Sequence, residues 1–274
     1  PLISEHTLFI SISQSGETAD TLAAMQLMTE LEIDQITLSN NPNAQSSRLA
    51  NDTLQIRAGL EIGVAASKTF TCSLVTLYLL AIHIGIIRGH IDEIQVSNLI
   101  NELAKLPELM GSLLKRKETY ELLAEKYHNH HDFLFLGRGL NFPIALEGAL
   151  KLKEISYLHA EGYPAGEMKH GPISLVDNQM PIVTIIPQDS TYAKMLNNMS
   201  EAQARGGEII AIASEGDKSI ENSADHVIKI PDCSELLSPL LTIIPLQLLS
   251  YYIAVRRGCD VDQPRNLAKS VTVE

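Results

Sequence analysis

The sequence predicts a doubly wound parallel α/β fold, built twice from unequal copies of one unit and finished by an irregular tail. Three observations carry this. Strand-length runs rich in Val, Ile and Leu alternate with helix-length segments, and the runs lack clean apolar–polar alternation, as expected where helices cover both sheet faces. One order of strands and helices recurs at matching spacing in the two parts of the chain. The composition, 45% hydrophobic but only 5% aromatic and without Trp, suits an aliphatic interior.

Taken in order, Thr7-Leu8-Phe9-Ile10-Ser11-Ile12-Ser13 reads as a buried strand. The turn Ser13-Gln14-Ser15-Gly16-Glu17-Thr18 follows and leads into a helical pattern over 18–31. Strands are expected at 35–39 and 53–57, then a helix over 68–88. Its stretch 70–87 reaches membrane-span length but carries Thr71, Ser73, Thr76, Tyr78 and His83, so a buried core helix is expected. A helical connector over 94–127 should break near Pro107. The second copy opens with a strand at 132–136 and a helix at 143–159 that have no counterpart in the first. It then repeats the earlier order: a strand at 181–186 matching 7–13, a helix at 192–205, strands at 208–213 and 226–230, and an apolar helix at 236–257. The expected domains are 1–90, incomplete at its N-terminus, 91–258 with the connector, and a tail over 259–274.

Over 274 residues the net charge is −12, and no basic stripe with interleaved aromatics occurs, which argues against a nucleic-acid surface. Any phosphate site must therefore come from local dipoles and a few lysines. Cys72, Cys233 and Cys259 lie far apart without a CxxC, so neither a disulfide framework nor a zinc site is indicated. His128, His130 and His131 lack acidic or Cys partners at ligand spacing, and no metal is expected. No leader is legible. The chain reads as cytoplasmic, with neither a membrane nor a nucleic acid as partner.

Four segments carry candidate chemistry. A strand ending in a hydroxyl-rich, glycine-containing turn at a helix N-terminus aims free N–H groups and the positive end of the dipole at one spot, so the Ser13–Thr18 turn suits a phosphate. An ordinary N-cap is the plainer alternative. Glu147, Lys151 and Glu154 fall four and three apart and share one helix face, either a solvated ladder of ion pairs or a proton-transfer surface. His170 sits in a loop shaped by Gly and Pro and close in sequence to that helix. The tail 260–274 has no regular period and contains Lys269.

Together these segments resemble the isomerase halves of the glucosamine-6-phosphate synthase (glutamine–fructose-6-phosphate amidotransferase) family, which are built from two sugar-isomerase (SIS) domains. The resemblance runs through Ser13-Gln14-Ser15-Gly16-Glu17-Thr18-Ala19-Asp20-Thr21, Glu61-Ile62-Gly63-Val64-Ala65, Leu136-Gly137-Arg138-Gly139, the helix bearing Glu147 to Glu154, Lys169-His170-Gly171-Pro172, and the tail from Asp262 to Glu274. It implies that Ser13, Gln14, Ser15 and Thr18 hold the phosphate of fructose 6-phosphate, and that Val64, Ser67 and Ala268 contact the sugar. It implies a Schiff base between Lys269 and the C2 carbonyl, proton transfer between C1 and C2 by Glu154, and ring opening by His170 from a neighbouring subunit, hence a homodimer. Lys151 would serve as an electrostatic or relay partner, and no metal or organic cofactor is implied. Ala66 stands where the family shows a sugar-contacting Ser, with Ser67 beside it as a substitute. The glutaminase domain expected in a full-length relative, which supplies ammonia for glucosamine 6-phosphate, is absent from this sequence. A non-catalytic sugar-phosphate-binding regulator is the alternative. It would need the phosphate turn but not Glu154, His170 and Lys269.

Overall fold

The structure, a computed structural model, describes residues 3, 4 and 6–270. The residues 271–274 of the tail motif lie outside the described residues. The chain forms two compact units. One runs to Ser97 and takes in the chain again from Arg265, and the other is Asn98–Pro264.

The first unit contains β1 (Leu8–Ser13), α1 (Ala19–Glu30), β2 (Asp34–Ser39), α2 (Gln45–Leu49), β3 (Asp52–Gln55) and α3 (Lys68–Ile87). Its strands form a parallel sheet in the order β1-β2-β3. Helix α1 covers one face through Leu22, Met25 and Met28, and Ser11 Oγ lies 3.3 Å from Met25 Sδ. The opposite face of β1 leaves Leu8, Ile10 and Ile12 exposed.

Helix α4 (Glu93–Leu114) crosses into the second unit, which continues with α5 (Lys117–Tyr127), β4 (Asp132–Gly137), α6 (Asn141–Ser156) and β5 (His159–Pro164). After two short 3-10 turns come β6 (Pro181–Ile186), α7 (Tyr192–Gln203), β7 (Glu208–Ser214), β8 (His226–Ile230) and α8 (Ser238–Arg256). The five-stranded sheet is parallel throughout, in the order β5-β4-β6-β7-β8. This is one of the two common doubly wound orders. Its core joins Leu134 and Leu136 to Ile182, Met195, Met199 and Ile209. The β6-β7-β8 run has the same order and direction as β1-β2-β3, so the repeat seen in the sequence is a repeat in space within each unit.

Four expectations need correction. Strand β5 replaces the first part of the expected loop. It is a short sheet-edge strand with Gly and Pro, too irregular to show a period of two. Helix α6 stops at Ser156 rather than 159, because Tyr157 turns left-handed at φ +61°. Helix α4 runs through Pro107 and the break falls at Arg116 (φ −92°, ψ 41°), whose guanidinium bonds Lys229 O and Glu215. Helix α3 is not a buried core helix, since only Thr69 and Ile82 are buried along it. Helix α8, at the matching place in the second unit, buries most of its length and packs on α6. Both apolar helices are long enough to cross a membrane by length and composition.

Candidate functional site

In the first unit the chain leaves β1 at Ser13 and turns on Gly16, whose φ of +71° suits glycine. Space demands glycine as well, because a Cβ there would sit 2.4 Å from Ala44 Cβ and 2.5 Å from Ser46 Oγ. The turn is held from within and from α2. Gly16 N donates to Ser13 Oγ (3.0 Å), Glu17 N to Ser15 Oγ (3.2 Å) and Ser46 N to Gly16 O (3.0 Å). Glu17 accepts a hydrogen bond from Gln45 N (2.9 Å). Thr18 occupies the N-cap of α1 yet makes no side-chain cap hydrogen bond. The plain N-cap reading therefore fails in its main feature, and the first N–H groups of α1 keep their capacity for an anion.

The counterpart loop after β6 is built differently. Asp189 accepts from Thr191 N (2.7 Å) and Oγ1 (2.8 Å), and Ser190 Oγ donates to Glu235 (2.6 Å). Two carboxylates take up the hydroxyls there, which leaves an anion repelled. Of these two matching loops only the one after β1 is suited to phosphate.

The first unit also holds Lys269. Its Nζ lies 2.8 Å from Glu61 Oε2, 2.8 Å from Gly63 O and 3.5 Å from Val64 O. Glu61 is a buried carboxylate, with 4% of its side chain exposed. Oε1 accepts from Ser67 N (2.9 Å), Ser67 Oγ (3.3 Å) and Thr69 N (3.3 Å), and Oε2 accepts from Thr69 Oγ1 (2.5 Å). It thus satisfies the opening N–H groups of α3, where Ser67 supplies no side-chain cap. Burial alone would raise the Glu61 carboxyl. The hydrogen bonds from Lys269, from Thr69 and from the Ser67 and Thr69 N–H groups outweigh it and hold the group down at about 2. Val64 presents its carbonyl to Lys269, Ser67 is engaged with Glu61, and Ala268 is exposed beside Lys269.

In the second unit α6 carries Glu147, Lys151 and Glu154. Lys151 Nζ is 3.2 Å from Glu147 Oε1 and 2.6 Å from Glu154 Oε2, and Lys151 is only 5% exposed. This is not a solvated ladder. It is a buried ammonium between two carboxylates, and burial pushes the Glu147 carboxyl up against the pull of Lys151. Such an arrangement can hold a carboxylate in place for proton transfer. His170 ends a 3-10 turn (Ala165–His170) with 75% of its side chain exposed, and its Nε2 lies 3.9 Å from Glu167. Among the described residues it makes no hydrogen bond or ion pair to the α6 carboxylates.

The residue that sequence reasoning missed is Glu61. It opens the stretch Glu61-Ile62-Gly63-Val64-Ala65, and its partner lies 208 positions away. A lone acid in an apolar, glycine-containing stretch ahead of Ser67 and Thr69 was the available signal.

Comparison with known proteins places the chain in a family. A model of the SIS domain matches residues 1–83 and 126–257. Over its whole length the chain is 49% identical to the glutamine–fructose-6-phosphate aminotransferase [isomerizing] of Thermosynechococcus vestitus and 50% identical to that of Pseudomonas putida, and covers 45% of each. The chain therefore spans about half the length of the curated relatives it matches. A solved C-terminal domain of glucosamine-fructose-6-phosphate aminotransferase from Francisella tularensis superposes with a TM-score of 0.92 at 40% identity, over 96% of this chain and 75% of that one. A glucosamine-6-phosphate deaminase from Thermotoga maritima shares the fold, with a TM-score of 0.77 at 24% identity over 99% of this chain and 77% of that one. The chain belongs to the SIS-domain family. Within it, its place is with the C-terminal, isomerase halves of the glutamine–fructose-6-phosphate aminotransferases.

Proposed function

We propose that the chain is the part of such an aminotransferase that converts fructose 6-phosphate and ammonia into glucosamine 6-phosphate. The observation that carries this reading is Lys269, a single amine fixed by a buried carboxylate in the same compact unit as the Ser13–Thr18 turn. A phosphate anchor and a carbonyl-activating amine are two of the three parts an enolisation needs, and Glu154 on α6 supplies the third, a base.

In this reading Ser13, Gln14, Ser15 and Thr18 hold the phosphate, and the backbone at Val64, with Ser67 and Ala268, borders the sugar. The amine of Lys269 attacks C2, the carbonyl oxygen leaves as water, and the nitrogen becomes a cationic iminium. Ammonia then replaces the lysine at C2 and frees its amine. Glu154 removes a proton from C1, giving an enamine. Protonation at C2 and loss of the O1 proton leave an aldehyde at C1 and an amine at C2. Lys151 holds Glu154 in position, and His170 opens the sugar ring. Its exposure suits delivery to a neighbouring subunit's site in a homodimer. Glutamine, which the names of the longer relatives carry, would supply the ammonia through a glutaminase domain. No step calls for a metal or organic cofactor. The domain limits 1–90, 91–258 and 259–274 and a cytoplasmic setting, free of membrane and nucleic acid, belong to the same proposal. Helix α3 enters it as the counterpart of α8 in the repeat.

The test is borohydride reduction in the presence of fructose 6-phosphate, followed by peptide mapping. A reduced adduct on Lys269 that disappears in Lys269→Arg is the expected result, because a guanidinium stays protonated and cannot condense. Binding of the sugar phosphate without any adduct would instead support a regulator that senses sugar phosphates.

A further inference from the structure

Glu61 has no part in the reaction as written above, yet among the described residues it makes the shortest polar contact to the reacting amine, equalled only by Gly63 O. We infer that Glu61 is the positioning residue of the Schiff-base step: its carboxylate fixes Nζ of Lys269 and remains as counter-ion to the iminium formed at that nitrogen. The inference rests on the reading of Lys269 as the amine.

The geometry at rest matches an ammonium, whose three N–H donors meet Glu61 Oε2, Gly63 O and Val64 O. An ammonium has no free electron pair, so one proton passes to solvent before attack. The C–N bond then forms at C2 with loss of a second proton from nitrogen to the oxygen. The C2 oxygen takes back one proton from solvent and departs as water, and one positive charge stands on the nitrogen again. That nitrogen now bears one N–H at most, and the acceptor that carries a full charge is the one it gains most by keeping. The carboxylate needs no rearrangement between the two states. Ser67 and Thr69 pin both of its oxygens from the start of α3, and a fixed charge that need not reorganise is the efficient kind. Glu61 also has a structural duty, since it satisfies the N–H groups that open α3. A test must separate the two.

Glutamine at position 61 can still accept hydrogen bonds from the α3 N–H groups but carries no charge. In the full chain, the rate of the borohydride-trapped adduct between Lys269 and fructose 6-phosphate is measured beside the equilibrium binding of that sugar phosphate. Glu61→Gln should slow trapping by at least about tenfold while binding stays within about threefold, as expected when the buried member of a partly buried charge pair is removed. Should Glu61→Gln fail to fold, Glu61→Asp decides. Its shorter arm retracts the carboxylate from Nζ, and trapping should fall by at least about threefold. Trapping at the wild-type rate in the Gln variant, or in the Asp variant where that one decides, would overturn the inference and leave Glu61 a helix cap. No adduct in the wild type overturns the reading of Lys269 itself, and the inference with it.

Discussion

Glu154 and Lys151 are three residues apart on one helix, and their pairing at 2.6 Å was foreseeable from spacing. Their burial was not, because the same spacing serves a solvated ladder as well. If Glu154 carries the proton between C1 and C2, Glu154→Gln should lower C1 hydrogen exchange of fructose 6-phosphate in deuterated water by about a hundredfold or more. NMR would read the exchange, and phosphate-dependent binding should hold. Exchange at the wild-type rate would remove Glu154 from the mechanism. Glu61 supports a prediction of another kind. Its carboxyl is held at about 2 in the fold against 4.5 in the free state. A group depressed on folding contributes stability that is whole above the unfolded value and is lost as pH falls through the folded one. The difference in urea-unfolding free energy between wild type and Glu61→Gln should therefore be constant above about pH 5 and shrink between 4.5 and 2. A difference that does not vary across that window would contradict the ion pair.

Among the elements, the seven strands expected from apolar runs are all present with shifts of a residue or two, whereas β5 was read as loop. Its residues His159-Ala160-Glu161-Gly162-Tyr163-Pro164 are held as a strand by pairing with β4 and by close passage over α6. Gly162 makes that passage possible, since a Cβ there would lie 2.6 Å from the Leu146 Cα. Gly148 faces a flexible neighbour instead, with Leu246 Cδ1 at 2.7 Å from its notional Cβ. Backbone cannot give way as a leucine methyl can. Gly162→Ala should cost about 1–3 kcal/mol, and Gly148→Ala clearly less, in denaturant unfolding. Equal costs would mean that α6 slides freely on β5. Pro107 teaches the reverse lesson: a residue that breaks helices locally sits within α4, and the break falls where Arg116 finds partners on β8 and beyond β7.

At the scale of the whole molecule, His170 offers a decisive test. If it serves the neighbouring subunit, co-expressed Lys269→Arg and His170→Asn chains should regain about a quarter of wild-type sugar-phosphate exchange, since half of randomly formed C2 dimers are mixed and each mixed dimer has one intact site. If His170 acts within its own chain, the mixture stays as inactive as either variant alone. The sequence by itself determined the parallel α/β class, the internal repeat, the hydroxyl-rich turn after β1 and the helix face of Glu147, Lys151 and Glu154. All of these are written in short-range period and turn chemistry. The tertiary structure alone decided that Lys151 is buried, that α3 is largely exposed where α8 is covered, and that Glu61 closes on Lys269 across 208 positions. Burial and long-range ion pairs depend on which surfaces the fold brings together, and no local pattern of residues encodes that.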